Sequence, residues 1–117
     1  MTTNLKHCPG SPNCVCSVDT DSHHIEPLTA GGHIEQTWQT LLHLLQQDSS
    51  ITIKESDDRY IRAEARTSLL RFTDDLEFLL NPEQGVIDMR SASRVGYSDL
   101  GKNRSRLEAI RSAVHNG

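Results

Sequence analysis

The sequence has few aromatic residues and no long apolar run. Phenylalanine, tryptophan and tyrosine make up 4% of the 117 residues, so the core that this chain can bury must be mostly aliphatic. No apolar run approaches the roughly 20 residues that a membrane-spanning helix needs. Residues 1–6 also lack the apolar stretch of a secretory signal. We therefore expect one domain with no membrane span, located in the cytoplasm.

The sequence also has no excess of positive charge. It contains 12 lysines and arginines against 16 acidic residues, which gives a formal net charge of −4, and the two signs are interspersed. A general nucleic-acid-binding protein presents a net basic face, so we do not expect that function here. A small basic pocket is still compatible with this composition. No pattern in the sequence specifies an oligomeric state.

Cysteine is absent after position 16, and all three cysteines (Cys8, Cys14 and Cys16) lie in one short segment. Their spacing differs from the Cys-x2-4-Cys pairs of zinc fingers, although thiolates are good ligands for zinc and other thiophilic metals. Three interpretations stay open. The thiols could be buried side chains or a loop-closing disulfide, they could hold a metal ion, or they could be redox-active.

The order of patterns along the chain predicts an α+β fold. Residues 1–33 hold three of the four prolines and three of the seven glycines and show no periodicity, so we expect an N-terminal coil packed on or near the domain. Residues 34–117 should form the α+β core. Apolar residues from Ile34 to Leu45 repeat with helical spacing, which predicts a first helix over about 34–47.

Four later segments resemble strands, over about 51–55, 59–67, 75–81 and 85–93. Pro82 and Gly85 mark a hairpin loop between the last two. A second helix is expected over about 99–115, with Ser98 or Asp99 as its N-cap. Because the connections are short, we expect a mainly antiparallel sheet in a two-layer arrangement, with both helices on one of its faces.

The segment from Arg90 to Arg104 combines arginines with hydroxyl and amide side chains where a strand passes into a helix. Its candidate ligand-binding residues are Arg90, Ser93, Arg94, Tyr97, Asp99, Asn103 and Arg104. Such donors beside a helix N-terminus suit a phosphate, sulfate or carboxylate. The segment therefore predicts a binding module for a small anion or an acidic partner.

An internal network is the competing interpretation of the same segment. The carboxylate of Asp99 would itself satisfy the helix N-terminus, and Arg94 or Arg104 could pair with Asp99, Asp74 or Asp75. The alternative function is a thiol redox or metal-binding protein that uses Cys8 and Cys14, with Cys16 as a weaker candidate. No nucleophile motif, P-loop or metalloprotease motif is present, so we lean against an enzyme.

Two strings in the chain resemble a known family. CPGSPNCV over Cys8–Val15 and RSASRVGYSDLGKNR over Arg90–Arg104, together with the Asp74-Asp75 pair, resemble the family of domains of unknown function DUF1499. The resemblance covers about residues 7–114 and implies no activity, substrate or cofactor. It marks Cys8, Cys14, Asp74 and the seven candidate residues above. Cys16 stands where the family has serine, so a site of three thiols would be peculiar to this chain.

The resemblance leaves one geometric question for the structure. If the cysteines and the arginines meet in one cleft, they form a single site. If they lie on opposite sides of the domain, the cysteines act as a local staple and the arginines as part of the scaffold.

Overall fold

The structure is a computed structural model that describes residues 4–30, 32–67, 72–96 and 99–116. Its elements are, in chain order, β1 (Cys14–Cys16), β2 (Leu28–Thr29), α1 (Ile34–Gln47), β3 (Ile51–Ser56), β4 (Tyr60–Arg66), β5 (Thr73–Asn81), β6 (Val86–Ser93) and α2 (Lys102–Asn116). The predicted α+β class is confirmed. Neither helix in these ranges is long and apolar enough to cross a membrane.

The sheet has six strands, whereas the sequence predicts four. Strands β3 to β6 form the expected antiparallel meander, and both β1 and β2 pair antiparallel with the outer edge of β6. The prediction that residues 1–33 are coil throughout is therefore wrong for these two strands. They have three and two residues, which is too short for any periodic signal, and their pairing depends on β6 rather than on their own pattern.

The second helix begins at Lys102, later than the expected start at residue 99. Leu100 and Gly101 both have positive φ angles, of 55° and 79°. A left-handed backbone cannot continue a right-handed helix, so residues 99–101 form the turn that precedes α2. The first helix, α1, keeps the expected bounds.

The main core cluster contains side chains of both helices and of one face of the sheet. Strand alternation places Ile61, Leu76 and Met89 on that face, and they are fully buried. From the helices, Leu41 and Leu107 reach the same cluster. The N-terminal segment also contributes buried side chains to it. These are Val15, Ile25 and Leu28.

The opposite face of the sheet carries a second, smaller apolar cluster. Leu5, Cys16, Tyr60 and Leu79 are buried there against one another, and Cys8 packs at their edge. Since Leu5 and Cys8 precede the first strand, the start of the chain crosses this face of the sheet. The sheet face opposite the main core is thus partly covered by the start of the chain.

Candidate functional site

The candidate residues of the Arg90–Arg104 segment that follow the path of β6 alternate between the two faces of the sheet. Ser91 and Ser93 lie on the core face of the sheet together with Met89, while Arg90 and Arg94 project from the opposite face. Two groups of contacts result. We call Asn13, Ser91, Ser93, Asp99, Asn103 and Arg106 the Asn103 cluster. Glu64, Asp75 and Arg94 form the Arg94 cluster.

Asn103 is fully buried in the first turn of α2 and joins the helix to the sheet. Its Nδ2 atom lies 2.7 Å from Asp99 Oδ2, 2.9 Å from Ser93 Oγ and 3.2 Å from the backbone oxygen of Asn13. Its Oδ1 accepts a hydrogen bond from Ser91 Oγ at 2.5 Å. The same oxygen also accepts a hydrogen bond from Arg106 Nη1 at 3.2 Å, so the buried amide has partners for both its nitrogen and its oxygen.

The side chain of Asp99 binds backbone amides at the start of α2, although Asp99 stands three residues before the first helical residue and not directly before it as the sequence predicts. Its Oδ1 accepts a hydrogen bond from the Gly101 amide at 2.8 Å, and its Oδ2 accepts one from the Asn103 amide at 3.1 Å. Burial opposes ionisation of this carboxyl, but the side chain and amide of Asn103 and the amide of Gly101 outweigh burial and lower the pKa of Asp99. Ser98, the other cap candidate, and Tyr97 lie outside the described residues.

The Arg94 cluster is more exposed and consists of charges. The guanidinium of Arg94 binds Asp75 through two hydrogen bonds, of 2.9 and 2.8 Å, and reaches Glu64 Oε2 at 2.7 Å. These two carboxylates raise the pKa of Arg94. One guanidinium therefore faces two carboxylates, which leaves the group as a whole negative. The pairing of Arg94 with Asp75 is one that the internal-network interpretation predicts.

Arg90 is turned toward the start of the chain. Its Nε donates a hydrogen bond to the backbone oxygen of Lys6 at 2.8 Å, and its Nη1 lies 3.7 Å from Glu77 Oε1. The hydroxyl of Tyr60 donates a hydrogen bond to the same glutamate. Arg90 therefore fixes the N-terminal segment to the sheet.

Arg104 also binds backbone. Its two terminal nitrogens donate hydrogen bonds to the carbonyl oxygens of His24 and Ser22, at 2.8 and 3.0 Å. Arg111, further along α2, binds the carbonyl oxygens of Pro27 and Glu26 in the same way, at 2.9 and 2.5 Å. Arg104 is among the site residues that the sequence predicts, whereas Arg111 is not; Arg111 also contacts Glu108 at 2.8 Å.

Cys8 and Cys14 form a disulfide, one of the possibilities that the sequence left open. Their sulfurs are bonded to each other, so in this state neither can serve as a thiolate ligand. Cys16 keeps a free thiol that is buried, and burial raises the pKa of that thiol. A thiol with a raised pKa is a poor nucleophile at neutral pH. Within the described ranges, no group of three or more His, Cys, Asp or Glu side chains is arranged to hold a metal ion.

The cysteines and the arginine segment lie side by side. Strand β1 pairs residue by residue with Arg90–Ala92. Cys14 and Arg104 line one cleft of about 370 Å³ together with His23 and Gly101. The side chain of Asn13 donates a hydrogen bond to the Gly96 oxygen at 2.6 Å, which ties the disulfide loop to the motif. The two clusters predicted from the sequence thus belong to one region.

His23 holds an unusual position in that cleft. One ring nitrogen lies 3.0 Å from the Ser11 carbonyl oxygen and the other 3.0 Å from Asp21 Oδ1. Both partners are acceptors, so the doubly protonated imidazolium is favoured and the pKa of His23 is raised, first by Ser11 and then by Asp21.

A second, larger cleft shares Asp99 with the first, and we call it the α2 cleft. Its volume is about 610 Å³. It lies at the ends of β5 and β6, beside the turn into α2. The lining residues are Thr67, Phe72, Asp74, Ser93, Val95, Gly96, Asp99, Leu100 and Lys102. Sequence reasoning singled out Ser93 and Asp99 as candidate site residues and marked Asp74 by resemblance. It missed the apolar members.

Asp74 lies at the buried end of the α2 cleft. Arg106 Nη1 forms an ion pair with Asp74 Oδ2 at 2.8 Å. This oxygen is almost inaccessible to solvent, and the guanidinium of Arg106 is its partner. Arg106 is not among the residues that the sequence singles out, because it stands beyond the Arg90–Arg104 segment.

The comparisons with known proteins identify a family but no activity. The family model described as protein of unknown function (DUF1499) matches residues 4–114. No curated protein and no solved structure matches the chain. Because the family model spans nearly the whole sequence, the chain belongs to the DUF1499 family of proteins of unknown function.

Proposed function

We propose that this protein is a binding module whose ligand site is the α2 cleft. The ligand is a small molecule with an apolar body and an anionic group, and Lys102 is the cation that receives the anionic group. The observation that carries this proposal is the rim of the cleft, where large apolar side chains stand in solvent around a polar floor.

The large apolar side chains that are exposed to solvent lie together on the rim of the α2 cleft. Among the described residues, three large hydrophobic side chains are exposed, namely Phe72 (47%), Val95 (56%) and Leu100 (95%), and all three line the α2 cleft. Single exposed apolar residues are ordinary, but several around one concavity are typical of binding sites. Leu100 also holds a positive φ of 55°, a conformation that a leucine rarely adopts.

The size and lining of the cleft fit a small molecule. Ligand pockets commonly occupy roughly 300–1,000 Å³, with apolar walls and a few polar groups that fix orientation. The α2 cleft has about 610 Å³, apolar walls, and the polar side chains of Asp74 and Ser93 at its inner end. These dimensions favour a small molecule over an acidic segment of a partner protein.

Lys102, rather than an arginine, is the cation that suits an anionic ligand. The guanidinium groups of Arg90, Arg94 and Arg104 already bind carboxylates or backbone carbonyls within the protein. Lys102 is exposed at the mouth of the cleft, and no carboxylate of the described residues lies within ion-pair distance of it. The ligand would thus still bind at the Arg90–Arg104 segment, but its anionic group would bind Lys102 and not one of the arginines.

The proposal is tested with 1-naphthoate, followed by two-dimensional amide NMR. We expect the largest shifts at Phe72, Val95, Leu100 and Lys102. The Lys102→Ala variant should bind 1-naphthoate several-fold more weakly, while Lys54→Ala, a matched loss of an exposed lysine on β3, should leave binding unchanged. Equal weakening by both substitutions, or shifts spread away from the cleft, would rule out this site.

Thiol redox chemistry is the second candidate, and the Cys8–Cys14 disulfide favours it over metal binding. Cys8 is partly exposed while Cys14 is buried, so an attacking thiol would reach Cys8. Equilibration of the protein with glutathione buffers, followed by thiol counting, tests this candidate. A redox role requires the bond to open within the range of cellular buffers, whereas a structural disulfide stays closed until about −300 mV or below.

We also infer a single domain of two layers, with both helices on the sheet face that carries Ile61 and Met89. The shared core of helices, sheet and N-terminal segment supports this arrangement. The cytoplasmic location stays a prediction. The Cys8–Cys14 bond weighs against it, since disulfides persist mainly in oxidising compartments.

A further inference from the structure

We propose that the Cys8–Cys14 disulfide is a redox switch that controls whether residues 4–8, which we call the N-terminal strap, cover the sheet. While the bond is closed, the strap lies on the sheet and covers the thiol of Cys16. When a small thiol such as glutathione reduces the bond, the strap leaves the sheet and exposes Cys16. This inference goes beyond the ligand-binding function proposed above and is independent of the α2 cleft.

The strap contacts the sheet without forming a strand of its own. All five of its residues are described, and none belongs to a strand or a helix. Leu5 is buried in the same apolar cluster as Cys16. The backbone oxygen of Lys6 accepts hydrogen bonds from Arg90 Nε at 2.8 Å and from Cys16 Sγ at 3.6 Å. The backbone of the strap therefore lies directly over the Cys16 thiol, which is fully buried.

Asp19 and the disulfide hold the C-terminal end of the strap. One carboxylate oxygen of Asp19 accepts a hydrogen bond from the Cys8 amide at 3.0 Å, and the other lies 2.6 Å from Nδ1 of His7. The His7 side chain is 72% exposed, so water can compete for this contact. The disulfide adds a covalent link to Cys14, which β1 fixes to β6.

The covalent link is what keeps so short a segment in place. A single hydrogen bond contributes little net stability because water replaces it, and segments outside the regular structure are the first to open. The disulfide holds the strap close to the sheet, so each opening is followed by rapid reclosing. Once the bond is reduced, the strap can swing away about residues 9–12, where Pro9, Gly10 and Pro12 are exposed.

Reduction of the bond consumes two molecules of the small thiol. The first, as a thiolate, attacks the sulfur of Cys8, the partly exposed member of the pair, and Cys14 leaves as a thiolate that takes up a proton. The second thiolate attacks the mixed disulfide at the sulfur of the small thiol and releases Cys8. The protein disulfide is thus reduced to two thiols, while the two small thiols are oxidised to one small disulfide.

The first experiment measures how fast iodoacetamide labels Cys16, followed by mass spectrometry. The oxidised wild type offers Cys16 as its free thiol, and the Cys8→Ser, Cys14→Ser double variant carries no other cysteine. We expect labelling to be about tenfold faster or more in the double variant, because the strap no longer covers the thiol. Cys16→Ser in the wild-type background is the control and should take up no label while the disulfide is closed.

Urea separates release of the strap from unfolding of the domain. Release of five residues exposes little surface, so up to about 1 M urea should leave the labelling rate of the double variant nearly unchanged. Labelling through global unfolding would instead accelerate steeply with urea. Equal labelling rates in wild type and double variant, or a steep rise with urea in the double variant, would overturn the inference.

The second experiment follows the strap directly in the wild type, and it decides the matter if the double variant does not fold. Nitrogen-15 relaxation gives the backbone order parameters before and after dithiothreitol. We expect residues 5–8 to fall below about 0.6 on reduction, while β5 and β6 stay near about 0.85. A strap that remains as ordered as the sheet would overturn the inference. Loss of order in β5 and β6 as well would also overturn it, since the bond would then hold the whole domain.

Discussion

The Asn103 cluster and the Arg94 cluster come from the same stretch of sequence and differ in nearly every physical respect. Asn103 is buried and binds its neighbours through its amide, whereas Arg94 is 47% exposed and binds two carboxylates. Buried polar groups are strongly destabilising when they lose a partner, while exposed ion pairs contribute little. Residues of one motif can thus carry very different energies, because strand alternation sends them to different environments.

Among substitutions in the two clusters, we expect the largest loss of stability from one at Asn103. Asn103→Ala removes the amide that satisfies Ser91, Ser93 and Asp99 at once, so we expect unfolding to require about 3 kcal/mol less free energy. Urea denaturation followed by far-ultraviolet circular dichroism measures the loss. A decrease below about 1 kcal/mol would mean that water replaces the amide and that the cluster is not a buried network.

Breaking the Cys8–Cys14 disulfide should have the next largest effect. The bond closes a short loop that contains Asn13, whose backbone oxygen and side chain bind Asn103 and Gly96. We expect the Cys8→Ser, Cys14→Ser double variant to lose about 2 kcal/mol of stability. Dithiothreitol should lower the wild type to the same value and leave the double variant unaffected. Destabilisation of both by the reductant would point to an effect other than this bond.

Removal of the Asp99 cap should have an intermediate effect. We expect Asp99→Ala to lose about 1 kcal/mol at neutral pH. Because the folded state lowers the pKa of Asp99, its contribution is present above the ordinary value of 3.8 and is lost as the pH falls through the lower folded value. The difference between wild type and Asp99→Ala, measured by urea titration at several pH values, should therefore shrink below about pH 4. A constant difference at all pH values would show that its charge plays no part.

The smallest effect is expected at Arg94. Its pairs with Asp75 and Glu64 are exposed, so Arg94→Ala should lower stability by less than about 1 kcal/mol. Raising the salt concentration from 0.05 to about 1 M should shrink that difference further, since salt screens exposed charges. Thermal unfolding at the two salt concentrations measures it. A loss as large as that of Asn103→Ala would erase the contrast between the clusters.

The sequence predicted the long elements well. Periodicity placed α1 and the four strands of the meander within two residues, because each has a continuous apolar face. It could not find β1 or β2, which are too short to repeat and exist only because β6 offers an edge. The sequence also placed the start of α2 too early, because Leu100 and Gly101 have positive φ angles and only Gly101 is a residue type that indicates such a backbone.

The site was predicted less completely. The Arg90–Arg104 segment lies beside the cleft that we propose as the site, and the hydrogen bonds of Asp99 at the start of α2 and the pairing of Arg94 with Asp75 followed from simple electrostatics. The apolar rim could not be predicted, because Phe72 and Leu100 are distant in sequence and meet only through the register of β5 and β6. An apolar residue is assigned to the core by default, and exposure is a property of the fold rather than of the residue.

The contacts of Arg104 and Arg111 with residues 22–27 have a consequence for evolution and design. Both arginines bind backbone carbonyl oxygens, which every amino acid provides. These contacts therefore fix the backbone of residues 22–27 against α2 without depending on the side chains of that segment. The outward-facing positions of the segment are therefore free to diverge among relatives, or to accept grafted sequences, as long as the backbone keeps its course. Lysine could not take the place of either arginine, since a single ammonium does not span two carbonyls with the same fixed fork.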